Sequence, residues 1–380
     1  MPRHSPGSGD DRHQVAARLI AHIDLDAIIA NWTVLNRMSG CAGAVVKANG
    51  YGHGMIAVAK ALAHAGCQQF FTASLDEAAE LRAALPRHPI AYFDGLMADD
   101  IAVITALNLT PAINSPHQLS VLAKAAATRG APLPAMLQLD TGMNRLGAAG
   151  GDAENMLNSP DLAAGAWTLV FSHLAAADEP DNPLNPAQKR RFDDLHPAAP
   201  KAPRSLAATG GIMLGADYHY DITRPGLGLY GLSPHAGYAA SLTPALSLSA
   251  QVLQLRYAKK GETVGYGATH RLRRDSRLAC IAGGYADGID RRLSDRGEVI
   301  KDGRRAPMIG RVSMDVHVID ITDWPEHALT EGDRVMILNH DITAEDIAKK
   351  TATIPYQVLT TLGLRAKPQY AGTSMKQLDL

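Results

Sequence analysis

The chain has 380 residues, of which 46% are hydrophobic and 20% are charged, and its formal net charge is −1. This composition is typical of a globular protein, and a length beyond roughly 250–300 residues favours two domains. A near-neutral chain without a basic block is not expected to bind nucleic acid or an anionic membrane surface. The cysteines Cys41, Cys67 and Cys280 are odd in number and far apart, which argues against a disulfide framework and favours a reducing compartment.

Residues 1–18 are polar and contain proline and glycine but no apolar core. We therefore expect a flexible tail rather than a signal peptide. No later apolar run reaches membrane-spanning length. These features predict a cytoplasmic protein with no membrane partner.

From residue 19 to about residue 243, short apolar strands alternate with amphipathic helices. A strand at Ala21–Leu25 leads into a helix that extends to about Met38, with Asp24 or Asp26 as its cap. Eight further strands are predicted, at Ala44–Lys47, Phe70–Ala73, Ile90–Phe93, Thr110–Ile113, Ala135–Leu139, Thr168–Ser172, Ser205–Ala208 and Gly226–Tyr230. Helical stretches between them include Ala57–Ala65, Leu75–Leu85, Pro116–Thr128 and Pro186–Leu195. This α/β alternation predicts an N-terminal (β/α)8 TIM-like barrel. A doubly wound open sheet is the alternative, but no GxGxxG follows its first strand.

Beyond about Leu242, short alternating runs separated by Gly-rich turns replace the helical pattern. Strands are predicted at Leu246–Leu255, Thr263–Tyr266, Leu278–Ala282, Glu298–Ile300, Ala306–Ile309, Val316–Ile319 and Arg334–Leu338, and a helix around Ala344–Lys350. This pattern predicts a mainly-β C-terminal domain. We expect the barrel to span residues 19–243 and the C-terminal domain residues 244–380. Residues 20–25 are also a candidate for pairing with that second domain.

The first predicted barrel strand ends on Lys47, which is followed by a turn containing Gly50, Gly52 and Gly54. Barrel active sites are built at the carboxyl ends of the strands, where this amine is expected to lie. A solvated surface lysine is the ordinary alternative. However, a turn with so few side chains indicates that backbone or a ligand approaches closely.

The run from Val45 to Gly54 resembles the lysine signature of alanine racemases, which use pyridoxal 5′-phosphate (PLP) on a β/α barrel. The resemblance implies that Lys47 carries PLP covalently and that Tyr51 lies close to it. Further motifs of this family follow in order, so that the resemblance covers residues 20–370.

The segment from Leu139 to Gly147 resembles the arginine motif of the family. Arg145 is then expected to contact the phenolic oxygen of PLP and the substrate carboxylate, for which a guanidinium is well suited. Many members carry a carbamylated lysine seven residues earlier that orients this arginine. Gln138 occupies that position here and cannot be carbamylated. The side-chain amide and a bound anion remain as alternative ways to orient Arg145.

Further cofactor contacts implied by the resemblance follow the later barrel strands. His173 is expected beside the cofactor, although a structural histidine is the ordinary alternative. The phosphate is expected to bind Thr209, Gly226, Leu227 and Tyr356. Arg224 is expected to meet the pyridine nitrogen. A permanent cation there keeps that nitrogen unprotonated, weakens the ring as an electron sink and discourages transamination.

In the C-terminal region, the segment from Thr263 to Thr269 resembles the catalytic tyrosine motif of the family, which makes Tyr266 a catalytic residue. Residues 283–288 and 310–315 resemble two later blocks. Met314, with Arg145 and Tyr266, is expected to bind substrate. The substrate access channel is expected to include Asp178, Tyr285, Arg291, Arg311 and Ile354. The family places these C-terminal blocks in the active site of a partner subunit, which implies a homodimer; no metal is expected.

The resemblance implies a racemase that interconverts L- and D-alanine with one base on each face of the Cα. Lys47 would serve the D-alanine face and Tyr266 of a partner the L-alanine face. A phenol with a pKa near ~10 is a poor base at neutral pH, so its surroundings must lower the pKa, with His173 and Arg224 as candidates. The physiological role would be D-alanine supply for peptidoglycan or alanine catabolism. The alternatives are a broader racemase that also accepts serine, a PLP-dependent decarboxylase of the same fold, and a non-catalytic PLP carrier.

Overall fold

The computed structural model describes residues 17–235, 237, 241–362 and 365–372, so most of the predicted tail lies outside the described residues. The chain divides into two compact units. We call described residues 21–247, 338–362 and 368–372 the barrel unit, and residues 17–20, 248–337 and 365–367 the β unit. Within the described part of the chain, no helix is both long and apolar enough to cross a membrane.

Strands and helices alternate from residue 19 to residue 214. The strands are β1 (Leu19–Asp24), β2 (Ala44–Val45), β3 (Phe70–Thr72), β4 (Ile90–Tyr92), β5 (Thr110–Ile113), β6 (Leu133–Gln138), β7 (Gly165–Phe171) and β8 (Arg204–Ser205). The helices are α1 (Leu25–Ser39), α2 (Lys47–Tyr51), α3 (Met55–His64), α4 (Leu75–Ala84), α5 (Ile101–Leu107), α6 (Pro116–Arg129), α7 (Gly150–Leu157), α8 (Leu184–Leu195) and α9 (Thr209–Leu214). Asp24 caps α1, since its carboxylate accepts a hydrogen bond from the Ala27 amide.

Strands β2 to β8 form a parallel sheet in chain order. Residues 223–225 occupy the eighth position, because Thr223 bridges Ala42 in parallel and the Val45 amide donates to the Pro225 carbonyl at 3.0 Å. On the other side the Arg224 amide donates to the Ala207 carbonyl at 2.9 Å. The strands close into a barrel, and β2 to β5 are almost wholly buried, as expected for parallel strands covered on both faces.

The eighth strand was predicted at Gly226–Tyr230, and that prediction is wrong. Residues Leu227–Tyr230 form a short 3-10 helix, and the strand position lies just before it. The Gly226 and Gly228 amides both donate to the Thr209 hydroxyl oxygen rather than to a neighbouring strand. A short buried apolar run does not distinguish a strand from a single helical turn by periodicity.

The C-terminal part of the chain is mainly β. Its strands are β9 (Leu246–Ala258), β10 (Thr263–Val264), β11 (His270–Arg271), β12 (Ser276–Ala282), β13 (Glu298–Lys301), β14 (Arg304–Ile309), β15 (Val316–Asp320), β16 (Arg334–Leu338) and β17 (Lys367–Ala371), and its helices are α10 (Ala344–Thr351) and α11 (Pro355–Thr360). The main sheet has the order β12-β15-β14-β13-β16-β9-β1-β17, and β12 also pairs with β9. The predicted class, an α/β barrel followed by a mainly-β region, is confirmed.

Candidate active site

A cavity of about 580 Å³ lies in the barrel unit and is lined by residues that follow the barrel strands. Its volume is within the usual range for small-molecule sites, roughly 300–1,000 Å³. Ten of the predicted site residues line it: Lys47, Tyr51, Arg145, His173, Asp178, Thr209, Arg224, Gly226, Leu227 and Tyr356. Nine of them lie at or after the carboxyl ends of the parallel barrel strands, which meet on one face, and Tyr356 belongs to helix α11.

The backbone after Lys47 has an unusual conformation. Ala48, Asn49 and Tyr51 have φ angles of 52°, 51° and 51°, and Gly50 between them has 62°. Left-handed backbone costs roughly 1–2 kcal/mol for each non-glycine residue. Such a turn persists only where its surroundings hold it, and it is found most often at functional sites.

Lys47 itself is half-buried at the cavity wall. Burial lowers the pKa of its amine, the positive charge of Arg145 lowers it further, and the carboxylate of Glu77 opposes both. A lowered pKa increases the fraction of neutral, nucleophilic amine at a given pH. The sequence predicted the position of this amine but not the groups that tune it.

Tyr51 is packed between two other aromatic rings. Its ring stacks on Tyr230 at a centroid distance of 4.8 Å, and Tyr356 lies 6.4 Å away. Burial raises the pKa of Tyr51 to about 12, so its phenol remains protonated at neutral pH. A Cβ at Gly226 would lie 2.4 Å from the Tyr51 hydroxyl oxygen, so only glycine allows this arrangement.

Thr209 lies where the barrel closes. Its hydroxyl oxygen accepts hydrogen bonds from the Gly226 amide at 3.2 Å and the Gly228 amide at 3.1 Å. A Cβ at Gly228 would come within 2.8 Å of the Thr209 methyl group. The Thr209 side chain therefore packs directly on the backbone of these glycines. This part of the cavity wall consists of a small hydroxyl group and main-chain atoms.

Arg224 is the most deeply buried cation of the site, with an exposed fraction of 3%. Its guanidinium donates to the Ser172 carbonyl at 2.6 Å and to the Ser205 hydroxyl, and lies 4.9 Å over the Phe171 ring. Burial lowers its pKa to about 9, so it is still a cation at neutral pH. Among the described residues no carboxylate forms an ion pair with it. Burial, followed by the charge of Arg224, lowers the pKa of His173 to about 3 and keeps that imidazole neutral.

The loop that carries Arg145 is organised by two side chains. The carboxylate of Asp140 accepts hydrogen bonds from three successive backbone amides, at residues 142, 143 and 144, at 2.7–2.8 Å. The amide of Gln138 donates to the Leu146 carbonyl at 3.0 Å. Arg145 is exposed and lines the cavity between these two attachments. The amide of Gln138 therefore bonds the backbone of the residue directly after Arg145.

The predicted residues of the C-terminal motifs lie in the β unit. Tyr266 begins a short 3-10 helix between Gly265 and Gly267, whose φ angles are 74° and 73°. Its side chain is 70% exposed, and Tyr285 and Met314 are also exposed. Arg291 and Arg311 belong to the same unit. Ile354 is in the barrel unit, where it is exposed and does not line the cavity.

The two later motifs are joined within the β unit by an ion-pair cluster that the sequence did not predict. Arg365 donates to Asp287 at 2.7 and 2.9 Å and to Asp315 at 2.6 Å. Asp287 also accepts a hydrogen bond from the Gly284 amide. Both aspartates lie in segments that resemble family motifs, so the sequence indicated that they are important. Nothing in the local sequence indicated that Arg365 pairs with them.

Comparison with known proteins identifies the family. The alanine racemase N-terminal domain matches residues 23–234 and the C-terminal domain matches residues 245–370. The chain belongs to the alanine racemase family. It is 44% identical to an alanine racemase of Cereibacter sphaeroides over 352 residues, which cover 92% of this chain and 97% of the relative. It is 40% identical to a catabolic alanine racemase of Agrobacterium fabrum over 370 residues, or 96% and 95% of the two chains.

A solved structure supports the same assignment. The alanine racemase from Bartonella henselae with covalently bound pyridoxal phosphate has a TM-score of 0.89 and 35% identity, covering 94% of this chain and all of its own. The family resemblance and the interpretation of this family member as an isomerase are confirmed. The decarboxylase and carrier alternatives predicted a different C-terminal region or none at all, whereas both domains of the alanine racemase family are matched.

Proposed function

We propose that this chain is an alanine racemase that interconverts L- and D-alanine with PLP bound through Lys47. The observation that carries the proposal is the half-buried amine of Lys47, whose pKa is lowered by burial and by Arg145, at the wall of the barrel cavity. The covalently bound pyridoxal phosphate of the Bartonella relative supports the choice of cofactor.

The residues around the cavity fit PLP. The small hydroxyl of Thr209 and the backbone at Gly226 and Leu227 suit a phosphate, and Tyr356 lines the same cavity. Arg224 presents a buried cation without a carboxylate partner among the described residues, which suits a pyridine nitrogen that stays unprotonated. The remaining cation, Arg145, suits a phenolic oxygen and the carboxylate of the amino acid.

When bound, PLP withdraws electrons from an attached amino acid and makes its Cα proton removable. The amine of Lys47, released when the amine of the amino acid replaces it on the cofactor, would take or return that proton on the D-alanine face. Tyr266 of a second subunit performs the same task on the L-alanine face, since inversion needs a base on each side of the Cα. Neutral His173 donates no charge to the ring, which preserves the effect of Arg224.

The proposed working unit is a homodimer with shared active sites. Tyr266 and Met314 are large side chains left exposed in the β unit, and both lie in segments that resemble family motifs, which supports this proposal. In this arrangement Met314 contacts substrate. Substrate reaches the site along Asp178, Tyr285, Arg291, Arg311 and Ile354. Cell-wall supply and alanine catabolism are both compatible with these residues.

The test is a racemisation assay on purified chain, with PLP absorbance and product handedness recorded over a panel of L-amino acids. We expect D-alanine from L-alanine, with slower turnover of serine. Lys47→Ala should abolish racemisation and the trapping of PLP by borohydride on this lysine. Trapping of PLP on another lysine, or release of carbon dioxide in place of D-alanine, would overturn the proposal. Bound PLP without any turnover would favour a carrier.

A further inference from the structure

The carboxylate of Glu77 lies across the carboxyl ends of two barrel strands. One oxygen accepts a hydrogen bond at 2.7 Å from the amide of Ala48, the residue directly after Lys47. The other oxygen accepts at 2.9 Å from the amide of Ala73, directly after β3. A single side chain therefore joins the backbone that follows β2 to the backbone that follows β3.

Glu77 is itself placed by the start of helix α4. Ser74 caps this helix, and its hydroxyl accepts a hydrogen bond from the Glu77 amide at 3.3 Å. Position N3 of a Ser-capped helix would normally favour a carboxylate that turns back to its own cap. The Glu77 oxygens bond the Ala48 and Ala73 amides, so helix formation alone does not account for its orientation.

The Ala48 amide is the first donor of the left-handed turn that begins at Ala48. Backbone bonds close the turn, such as the Gly50 amide to the Val46 carbonyl at 2.8 Å, and the Asn49 side chain accepts from the Met55 amide at 3.0 Å. Glu77 is the charged member of this set, and hydrogen bonds to charged groups are stronger than neutral ones. Its bond acts on the residue directly after Lys47, where the left-handed turn begins.

We propose that Glu77 is a positioning residue for Lys47, which holds the left-handed turn in place and supplies negative charge that acts on the Lys47 amine. The inference rests on the proposed function of Lys47 as the residue that carries PLP. It assigns Glu77 no contact with substrate or cofactor.

The charged groups around Lys47 agree with this role. Arg145, from the loop after β6, and Arg224, at the eighth strand position, line the same cavity, and His173 after β7 is held neutral. The carboxylates of Asp94 and Asp178 also line this cavity. Burial and Arg145 lower the pKa of Lys47, whereas Glu77 raises it. Removing the Glu77 charge should therefore lower the pKa of Lys47 further and make the amine neutral at lower pH.

The experiment measures how fast full-length protein, freed of cofactor, attaches PLP to Lys47 as a function of pH. Attachment is followed by absorbance and verified by borohydride trapping. Only the neutral amine attacks, so the rate rises with pH through the pKa of Lys47 and then reaches a plateau. In Glu77→Gln we expect the midpoint to move to lower pH, because the anion is lost. We expect the plateau to fall about tenfold, because a charge-assisted hydrogen bond to Ala48 is lost.

Two further variants distinguish the effect of the Glu77 charge on Lys47 from the effect of its hydrogen bond on the turn. Asn49→Ala removes a neutral brace of the same turn, so its plateau should fall while its midpoint stays in place. Glu80→Gln removes an exposed carboxylate one turn along the same helix and should match wild type in both values. Melting temperatures recorded for all proteins identify any general loss of stability, which would lower the plateau without moving the midpoint.

The outcomes distinguish the two proposals. If wild type does not attach PLP to Lys47, the proposed function fails and Glu77 has no Lys47-bound cofactor to position. If wild type attaches PLP and Glu77→Gln behaves like Glu80→Gln, the role of Glu77 is refuted and the proposed function stands. A lower plateau with an unmoved midpoint would reduce Glu77 to a structural brace and contradict its electrostatic role.

Discussion

At the scale of single residues, the cavity is a place where positive charge is concentrated. Lys47, Arg145 and Arg224 all line it, and the carboxylates on its wall are Asp94 and Asp178. Such an arrangement suits a ligand with several anionic groups, as PLP and an amino acid carboxylate together provide. Lys47 is held by a strained turn, Arg145 by a polar loop, and Arg224 by a pair of buried hydrogen bonds.

Gln138 gives a prediction at this scale. A glutamine cannot form a carbamate, so racemisation should be the same in buffer freed of carbon dioxide and in buffer with added bicarbonate. Gln138→Ala should raise the KM for alanine about fivefold, because one hydrogen bond to the loop of Arg145, worth about 1 kcal/mol, is lost. Steady-state kinetics against alanine concentration provide the measurement.

The matched control is Gln68→Ala. Gln68 also donates its amide to a local carbonyl, that of Gly66 at 3.0 Å, but it is exposed and does not line the cavity. An unchanged KM is expected there. A response of the wild type to chloride at constant ionic strength would contradict this account, since it would indicate that an anion orients Arg145.

At the scale of elements, the functional side chains lie on the short connections after the strands. Strands β2 to β5 of the barrel are almost wholly buried, whereas the loop after β6 and the turn after β2 are shaped by carboxylates that accept hydrogen bonds from backbone amides. Charge-assisted bonds of this kind position a loop without a hydrophobic core of its own. Individual acidic residues thus determine the shape of these two connections.

Replacing Asp140 tests whether this aspartate determines the shape of the loop after β6. Asp140→Ala removes the acceptor of three backbone amides, so the loop that carries Arg145 should lose its shape. We expect kcat/KM for alanine to fall about ten- to a hundredfold, on the basis of one or two charge-assisted bonds lost. The absorbance of bound PLP should persist, since the turn that carries Lys47 does not depend on Asp140.

Asp333→Ala is the corresponding control. Asp333 accepts a hydrogen bond from the Thr330 amide in an exposed turn of the β unit, outside the residues that line the cavity. Its kinetic constants should equal those of wild type. If Asp140→Ala retained full kcat/KM, the loop would not depend on the aspartate, and Gln138 alone would have to hold it.

At the scale of the whole molecule, the proposed mechanism depends on two bases that come from different subunits. Tyr266→Phe should lower racemisation about a hundredfold or more, the scale for loss of one positioned general base. Lys47 should still exchange the Cα proton of D-alanine with solvent deuterium, whereas exchange from L-alanine should be largely lost. Proton NMR in deuterated buffer measures both exchanges.

Mixing variants tests whether the site is shared. Inactive Lys47→Ala and inactive Tyr266→Phe protomers should regain part of the activity together, because one site of each mixed dimer then contains both wild-type residues. Tyr257→Phe changes another exposed tyrosine of the β unit, 72% exposed, and should leave activity unchanged. Equal loss of exchange from both enantiomers would refute the two-base assignment. Failure to complement, with subunit exchange demonstrated, would place Tyr266 in the site of its own chain.

Several elements were predictable because their signals are local. Helix α6 was expected at Pro116–Thr128 and spans Pro116–Arg129, with Ser115 as its cap and proline at its first turn. Strand β16 has the predicted bounds, Arg334–Leu338. The spacing of hydrophobic residues and the identity of capping residues depend on only a few neighbouring positions. These signals can therefore be read from the sequence without knowledge of the fold. The Lys47 turn was likewise visible from its glycines.

Contacts between residues distant in sequence were decided only by the tertiary structure. The sequence by itself determined the order of strands and helices and the position of the cationic residues after them. It did not determine that Glu77 accepts the Ala48 amide 29 positions away, or that Arg365 joins Asp287 and Asp315. Any carboxylate can accept a hydrogen bond from a backbone amide, so the local sequence does not identify its partner. The partner depends on which amides the folded chain brings within about 3 Å of the carboxylate.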